Sequence, residues 1–273
     1  MVEDSKAADL SEIRIEKMID PKKIKEYWDN QAREYRADPR ATIKDHQFRL
    51  LEMDVLKRHL TLEDVVLDVG CGNGFQTLDY AKCVRSIRGL DYSAPMIEVA
   101  RKSAEASGQR NCSFEVGDIL NHKLQREAYD AVVCERCLIN LPTEEHQRRA
   151  VVRMHGALKY GGRLLLSEVT LQGRERLNQL RREFGLGDIK KHWHNLYIDE
   201  ERFLPFLSDF FDTVEVVRFG MYQFISKVIH PMLVAPKEPD FDAKINEVAR
   251  RIGGTVINFR DASHQVTFVL KKK

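Results

Sequence analysis

Residues Val65–Ala81 read VVLDVGCGNGFQTLDYA and contain the pattern that decides the fold. The segment opens with an apolar, β-branched run, Val65–Val69, of the length expected for a strand buried on both faces. Three glycines follow at alternate positions, Gly70, Gly72 and Gly74, and a helix-like pattern begins after them. Glycine adopts unusual φ values and lets the backbone approach a ligand, and the next helix start offers unpaired N–H donors. The segment therefore predicts a strand, a ligand-binding turn and a helix.

The spacing of the glycines separates two kinds of ligand. A dinucleotide-binding turn has the pattern G-x-G-x-x-G and would need glycine at position 75, where this chain has Phe75. Residues Asp68 to Gly74 instead read D-x-G-x-G-x-G. In this motif the chain resembles the class I S-adenosylmethionine-dependent methyltransferases, of the small-molecule type with an N-terminal lid. The resemblance implies S-adenosyl-L-methionine as the cofactor and disfavours a nicotinamide-dependent oxidoreductase.

The rest of the chain continues the alternation of strands and helices. The strands expected after the first cover 86–91, 112–117, 129–134, 163–169, 212–219 and 264–270. Together with the resemblance, they predict an α/β fold with a doubly wound, seven-stranded, mostly parallel, Rossmann-like sheet whose last strand is antiparallel. The pair Gly161-Gly162 is expected to end a helix over 143–159.

We expect one domain with segments added to a common plan. Residues 1–19 are polar and mixed in charge, which is typical of a mobile leader, and residues 20–273 are expected to form a single methyltransferase domain. The expected parts of that domain are lid helices at 20–60, a cofactor-binding core at 61–169, and inserts at 170–198 and 221–262 that add to the helical cap.

Composition argues against several classes of protein. Lys and Arg number 44 against 42 Asp and Glu, so net charge indicates neither nucleic acid nor membrane as a partner. The sequence contains no apolar run of about 18 residues and no apolar core of a signal peptide near its N-terminus. Five scattered cysteines suit a reducing cytosol, and the lone CxxC of Cys134 and Cys137 is interpreted as strand-end packing. We therefore expect a cytoplasmic protein without a metal site.

The N-terminal helices carry a pattern that the same family uses as a lid. Asp20-Pro21 is a good helix start. Residues Trp28–Tyr35 are similar to the aromatic-Asp-x-x-Ala-x-x-Tyr segment that covers the cofactor in many small-molecule methyltransferases. The resemblance implies that Tyr35 approaches the methionine half of the cofactor and that Arg49 pairs with its carboxylate. The alternatives are an aromatic stripe that packs the helix onto the core and an exposed helix arginine.

Acidic residues follow several of the expected strands. Asp91 ends the second strand, where a carboxylate can accept both ribose hydroxyls. The resemblance implies that Asp118 receives the adenine amino group and that Ile119 covers the ring. Glu135 and Arg136 follow the fourth strand, which neighbours the first in such a sheet, and are therefore well placed for the methionine amino group or the acceptor. A plain turn residue is the alternative for Asp118. The full expected cofactor-binding set is Tyr35, Arg49, Asp68, Gly70, Cys71, Gly72, Asp91, Tyr92, Met96, Asp118, Ile119 and Glu135.

Methyl transfer from a sulfonium is an in-line displacement, so the protein must mainly hold the nucleophile against the methyl group. A general base is needed only for a hydroxyl or a protonated amine. Histidine titrates in the useful range, and His192 and His194 share one face if their segment is extended. We expect His194 as the base with Tyr197 as its polar partner, and Asn140 beside the methyl group. The alternative is a loop that Trp193 and Tyr197 anchor to the core.

The first insert is rich in basic side chains, and this leaves an anionic acceptor open beside the simpler interpretation of a solvated charged face. These residues are Arg174, Arg176, Arg181, Arg182, Lys190 and Lys191.

The sequence thus predicts an enzyme that moves a methyl group to an oxygen or nitrogen atom of a small molecule or glycan precursor. Other chemistry with the same cofactor, such as intramolecular cyclisation of its aminobutyryl chain, and a non-catalytic cofactor-binding module stay open as alternatives. The sequence has no strong basic stripe with interleaved aromatics and no tetrad for a flipped base, so a nucleic-acid substrate is not expected. Nothing in the sequence indicates the oligomeric state.

Overall fold

The computed structural model describes residues 20–253, 259 and 262–273, so the predicted leader at 1–19 lies outside the described residues. A seven-stranded sheet forms the centre of the molecule. The strands are β1 (Val65–Val69), β2 (Ser86–Asp91), β3 (Cys112–Val116), β4 (Tyr129–Glu135), β5 (Leu158–Val169), β6 (Phe211–Arg218) and β7 (Gln265–Lys272). The helices are α1 (Pro21–Tyr35), α2 (His46–Lys57), α3 (Phe75–Tyr80), α4 (Ala94–Ser107), α5 (Glu144–Ala157), α6 (Leu171–Glu183), α7 (Glu200–Phe210), α8 (Gly220–Phe224), α9 (His230–Val234) and α10 (Lys244–Gly253).

The strand order is β3-β2-β1-β4-β5-β7-β6, which confirms the predicted doubly wound sheet. Strands β1 to β5 pair in parallel, and β7 is antiparallel to both of its neighbours. The chain runs outward from β1 to β3 and then returns to the other side of β1 with β4. Ligands of open α/β sheets bind at such a switch point, outside the carboxyl ends of the strands.

Alternate residues of the central strands pack into two hydrophobic layers, one on each face of the sheet. Leu67 and Val132 belong to the layer that α5 and α7 cover. Val66 and Val133 belong to the layer that α2 and α3 cover. All four side chains are fully buried, as expected for central parallel strands with helices on both faces.

The prediction for the fifth strand was wrong at its beginning. Helix α5 ends at Ala157, and β5 starts at Leu158 and continues through both glycines, Gly161 and Gly162. The register between β4 and β5 shifts at this point, and Gly161 has a φ of 70°. The glycine pair therefore marks an irregularity inside a strand, where such residues are common, rather than the end of a helix.

The N-terminal helices and the second insert meet at Asp45, which caps α2. Its carboxylate accepts hydrogen bonds from the Phe48 backbone N–H at 3.1 Å, from Lys227 Nζ at 2.9 Å and from the Tyr222 hydroxyl. Phe48 and Tyr222 also pack together with Phe219. The described part of the second insert thus secures α2 from its outer side. Among the described residues, no helix is both long and apolar enough to cross a membrane.

Candidate functional site

A cavity of about 600 Å³ opens at the carboxyl ends of β1 to β4, with α1 as its outer wall. It lies at the switch point of the sheet, where the order of strands reverses. All the predicted cofactor-binding residues except Tyr35 and Arg49 line it, and Asn140 lines it as well. The sequence-based prediction therefore assembled side chains from four strand ends that share one space.

The glycine turn forms the part of the cavity wall nearest to β1. Gly70, Gly72 and Gly74 have φ values of 76°, 53° and 79°, in the left-handed region that favours glycine. A Cβ atom at Gly70 would lie 2.8 Å from both Cβ and Sγ of Cys137, so the turn has no room for a side chain. The Gly70 N–H donates to the Leu90 carbonyl at 2.8 Å, which ties the turn to β2.

Asp91 ends β2 and holds the turn from the other side. Its Oδ2 accepts the Gly72 N–H at 3.0 Å, and its Oδ1 accepts the Ser93 N–H at 2.8 Å. Burial raises the pKa of this carboxyl to about 6, and the two N–H donors oppose that rise. The carboxyl lines the cavity and can still accept from two neighbouring hydroxyls, since each oxygen has a further lone pair.

Asp118 and Ile119 line the cavity beyond β3. Asp118 accepts the Leu120 N–H at 2.8 Å, so the plain turn function that was its alternative is present. Ile119 is buried and contributes an apolar part of the wall.

His146 was not among the residues predicted from the sequence. It lines the same cavity from the first turn of α5, and its Nδ1 lies 2.7 Å from Thr143 Oγ1. The side of α5 that faces a cavity depends on how the helix docks, which no local motif encodes.

Two buried carboxyls, Asp68 and Glu135, line the opposite end of the cavity. Asp68 accepts the Thr77 hydroxyl at 2.5 Å, and burial raises its pKa to about 7. Glu135 accepts Gln76 Nε2 at 2.5 Å and the Tyr80 hydroxyl at 2.7 Å, and burial raises its pKa well above the usual range. This end of the cavity thus favours a positively charged ligand group, because a cation would restore the ionised state of both carboxyls.

Arg136 is a fixed cation beside these carboxyls. Its guanidinium pairs with Glu52 of α2, which is fully buried. Glu52 also accepts Ser167 Oγ at 2.5 Å and Gln265 Nε2 at 2.6 Å. The backbone of Arg136 has a φ of 53°, a conformation that non-glycine residues rarely adopt and that often occurs at functional sites.

Trp28 of α1 forms part of the outer wall of the cavity. The indole Nε1 donates to Asn140 Oδ1 at 3.3 Å, and Asn140 Nδ2 donates to the Arg136 carbonyl at 2.6 Å. Buried Glu168 supports the same segment by accepting the Leu138 N–H at 2.7 Å. The amide of Asn140 therefore has a fixed orientation at the cavity wall.

Tyr35 and Arg49 do not line the cavity. Tyr35 packs in a small cluster with Met96. Arg49 is fully buried, and its Nη2 donates to the Ile43 carbonyl at 2.7 Å and to Thr42 Oγ1 at 3.2 Å. Its Nε and Nη1 have no hydrogen-bond partner among the described residues. Thr42, which accepts from Nη2, does line the cavity. The pairing of Arg49 with a cofactor carboxylate stays a prediction, and so does the approach of Tyr35.

His194 and Tyr197 also lie outside the cavity lining. The His194 ring packs against Tyr27 and Trp28, with ring centroids 4.5 and 5.6 Å apart, and it is almost fully buried. Burial lowers its pKa to about 4, so the ring is neutral and weakly basic near neutral pH. Tyr197 belongs to the main core, while Trp193 is about half exposed. The geometry thus favours the alternative in which this segment is packed, although Tyr197 rather than Trp193 is its anchor.

The basic residues of the first insert do not reach the cavity among the residues that the structure describes. Arg182 pairs with Glu175 at 2.6 Å and with Asp188 at 2.9 Å, and Arg176 lies 3.7 Å from Glu200. Two of the six basic residues are therefore paired with acids. No group of three potential metal ligands occurs in the described part of the chain.

Residues 66–162 match the family model described as a methyltransferase domain. Over 125 residues the chain is 28% identical to a ubiquinone biosynthesis O-methyltransferase of Coxiella burnetii. The matched segment makes up 45% of this chain and 52% of that protein. Over 132 residues it is 28% identical to a probable tRNA methyltransferase 9B of Mus musculus. That matched segment makes up 48% of this chain and 26% of the relative. The chain thus covers about half of the former and about a quarter of the latter.

Among solved structures, the chain is similar to the N-methyltransferase NodS of Bradyrhizobium japonicum, which was crystallised with S-adenosylhomocysteine. The TM-score is 0.55 and the sequence identity is 15%, and the aligned region covers 90% of this chain and 98% of NodS. At this identity the likeness shows the fold. The matched domain and the glycine turn support a class I S-adenosylmethionine-dependent methyltransferase. The methyltransferase domain indicates S-adenosyl-L-methionine as the cofactor.

Replacing Asp91 by Ala should weaken binding of S-adenosylhomocysteine about a hundredfold, because two charge-assisted hydrogen bonds to the ribose are lost together with the support of the turn. Calorimetry measures the affinity, and circular dichroism verifies the fold. Asp130→Asn is the control, since Asp130 pairs with Lys159 away from the cavity. Equal affinities of the Asp91 variant and the control would show that the ribose is bound elsewhere.

The affinity for S-adenosylhomocysteine should rise as the pH increases from about 5 to about 7. The pKa of Asp91 is about 6 without ligand, and ribose hydroxyls that donate to its carboxylate must lower that pKa. Binding therefore releases protons in this window, and Asp68, with a pKa of about 7, contributes in the same direction. Calorimetry at about pH 6, in buffers of different ionisation enthalpy, measures the number of protons released on binding. Proton uptake, or an affinity independent of pH, would contradict the assignment.

Proposed function

We propose that the protein transfers the methyl group of S-adenosylmethionine to an oxygen or nitrogen atom of a small molecule or glycan precursor. One observation carries this proposal. One cavity joins the carboxyl of Asp91 to the fixed amide of Asn140 and the indole of Trp28. A sulfonium held between these ends would present its methyl group inside a space from which the lid helix excludes bulk water.

The contacts inside the cavity suit an in-line displacement. Such a transfer gains most of its rate from holding the nucleophile in line with the methyl group and from removing water. The buried carboxyls of Asp68 and Glu135 would stabilise the positive charges of the cofactor. We propose that Asn140 orients the acceptor, because both of its amide atoms are already fixed at the wall.

Two of the similar proteins are named for methyl transfer to oxygen or nitrogen, which supports the proposed acceptor atoms. One curated relative is called an O-methyltransferase of ubiquinone biosynthesis, and a protein of the same fold is called an N-methyltransferase. A third is called a probable tRNA methyltransferase, so an RNA acceptor is the alternative that the experiment must include. We place the protein in the cytoplasm because its five cysteines, all free, suit a reducing compartment.

A methyl-transfer assay with a panel of phenols, hydroxy acids and primary amines, together with unmodified tRNA, tests the proposal. We expect S-adenosylhomocysteine to accumulate only with one class of small molecule, and mass spectrometry to find that molecule heavier by one methyl group. Methylthioadenosine as the product would instead indicate cyclisation of the aminobutyryl chain. Intact cofactor with every acceptor would favour a non-catalytic module, and turnover with tRNA alone would replace the proposed acceptor class.

Replacing His194 by Phe should leave the turnover number within about threefold of the wild-type value, because an aromatic ring at this position keeps the packing on Tyr27 and Trp28. The same assay, with the acceptor found above, measures it. His194→Ala is the matched variant, and it should lose both stability and lid closure because it leaves a cavity. A loss of about a thousandfold or more in His194→Phe, with the fold intact, would establish His194 as the general base.

A further inference from the structure

A second cavity, of about 250 Å³, lies between the two inserts. Arg181 and Leu186 of the first insert form one wall, and the helical segment and loop from Ser226 to Asn246 form the rest. It shares no lining residue with the cofactor cavity. Its volume suits a small metabolite, since pockets for drug-sized ligands begin at about 300 Å³.

Arg181 brings to this cavity a positive charge that Asp188 and Glu238 offset only from beyond ion-pair distance. Its Nε donates to the Gly187 carbonyl at 2.7 Å and its Nη1 donates to the Lys227 carbonyl, and both acceptors are neutral. It forms no ion pair with any residue in the described ranges, whereas its neighbour Arg182 has two. Partial burial lowers the pKa of Arg181, the expected direction for a cation that lacks water or a close counter-ion.

The other charged groups of the lining are mostly basic. Lys227 and Lys237 line the cavity together with a single acid, Glu238. Lys227 Nζ lies 2.9 Å from Asp45 Oδ2 and 4.5 Å from the centre of the Phe241 ring. Because Asp45 neutralises Lys227 and Glu238 offsets Lys237, the charge of Arg181 is what favours an anionic ligand. The adjoining proline and phenylalanine side chains favour a ligand with a small carbon skeleton.

Three buried polar atoms of the lining have no hydrogen-bond partner among the described residues. They are Oγ of Ser226 and Nδ1 of His230, both residues 4% exposed, and Oδ1 of Asn246, a residue 1% exposed. Asn246 Nδ2 donates to the carbonyls of Asp240 and Phe241 at 3.1 and 3.0 Å, so the amide is fixed and leaves its oxygen free as an acceptor. Unpartnered buried polar groups are costly and rare, which points to a ligand that supplies the missing bonds.

The helix that carries Ser226 and Lys227 is a π-helix, Ile225–Ile229, between two short α-helical segments. Such turns are rare and occur frequently at functional sites. Ser226 and His230, four residues apart, both line the cavity. The irregular turn thus brings polar groups of the second insert to face Arg181 of the first.

We propose that the cavity between the inserts binds a small organic acid, whose carboxylate or phosphate group pairs with Arg181 and whose hydroxyl or amine donates to Asn246. The site is separate from the cofactor cavity and from the methyl acceptor. The cluster of basic residues in the first insert then serves this second site through Arg181, while Arg182 stabilises the insert alone.

Calorimetric titration of the full-length protein, saturated with S-adenosylhomocysteine and held at constant ionic strength, tests the proposal. The probes are L-malate and inorganic phosphate, which separate a carboxylate from a phosphate site, with glycerol as the neutral control. We expect one anion to bind at a single site, with affinity about tenfold weaker in Arg181→Met and unchanged in the matched variant Arg182→Met.

Asn246→Asp provides a second variant of nearly the same shape, should Arg181→Met fail to fold. The added carboxylate should repel the anion and weaken its binding by about tenfold or more, while the affinity for S-adenosylhomocysteine stays the same. No binding of either anion would overturn the proposal. So would equal losses in the two arginine variants, which would indicate diffuse attraction, or unchanged binding in Asn246→Asp.

Discussion

The hydrogen bond from the Gly72 N–H to Asp91 Oδ2, 3.0 Å long, joins the two features on which the site depends. It fixes the glycine turn after β1 against the carboxylate at the end of β2. The turn has its shape because three glycines adopt positive φ values and because Cys137 of the next loop leaves no room for a Cβ atom at Gly70. Strand ends that are distant in sequence are therefore held at fixed distances around one cavity.

Buried charge supplies the second constraint on the site. Glu52, Arg136, Glu135 and Asp68 lie under the cavity, and α2 contributes to this group from outside the sheet. Burying ionised groups costs free energy unless they are paired and hydrogen-bonded. Glu52 meets this condition through Arg136, Ser167 and Gln265, whereas Asp68 and Glu135 keep raised pKa values. This end of the cavity thus favours a cationic group, and α2 is tied to the cavity wall through the pairing of Glu52 with Arg136.

Most of the cavity lining could be predicted from the sequence because each of its parts is local. The glycine turn, Asp91 and Asp118 each follow directly from a strand pattern. The positions that the sequence could not place depend on long-range packing. His194 lies in a loop whose direction is set by contacts with the lid helix, and Gly161 lies in a strand because β4 shifts its register there. The two arginines at 181 and 182 look alike in sequence, but they differ in partners that only the folded inserts supply.

A crystal structure of the protein with S-adenosylhomocysteine would show whether the carboxylate of Asp91 holds the ribose. We expect the two ribose hydroxyls to donate to that carboxylate, with the adenine beside Ile119 and the amino group of the homocysteine toward Asp68 and Glu135. A ligand bound outside this cavity, or one whose ribose is held by other side chains while Asp91 contacts only the backbone, would contradict this expectation.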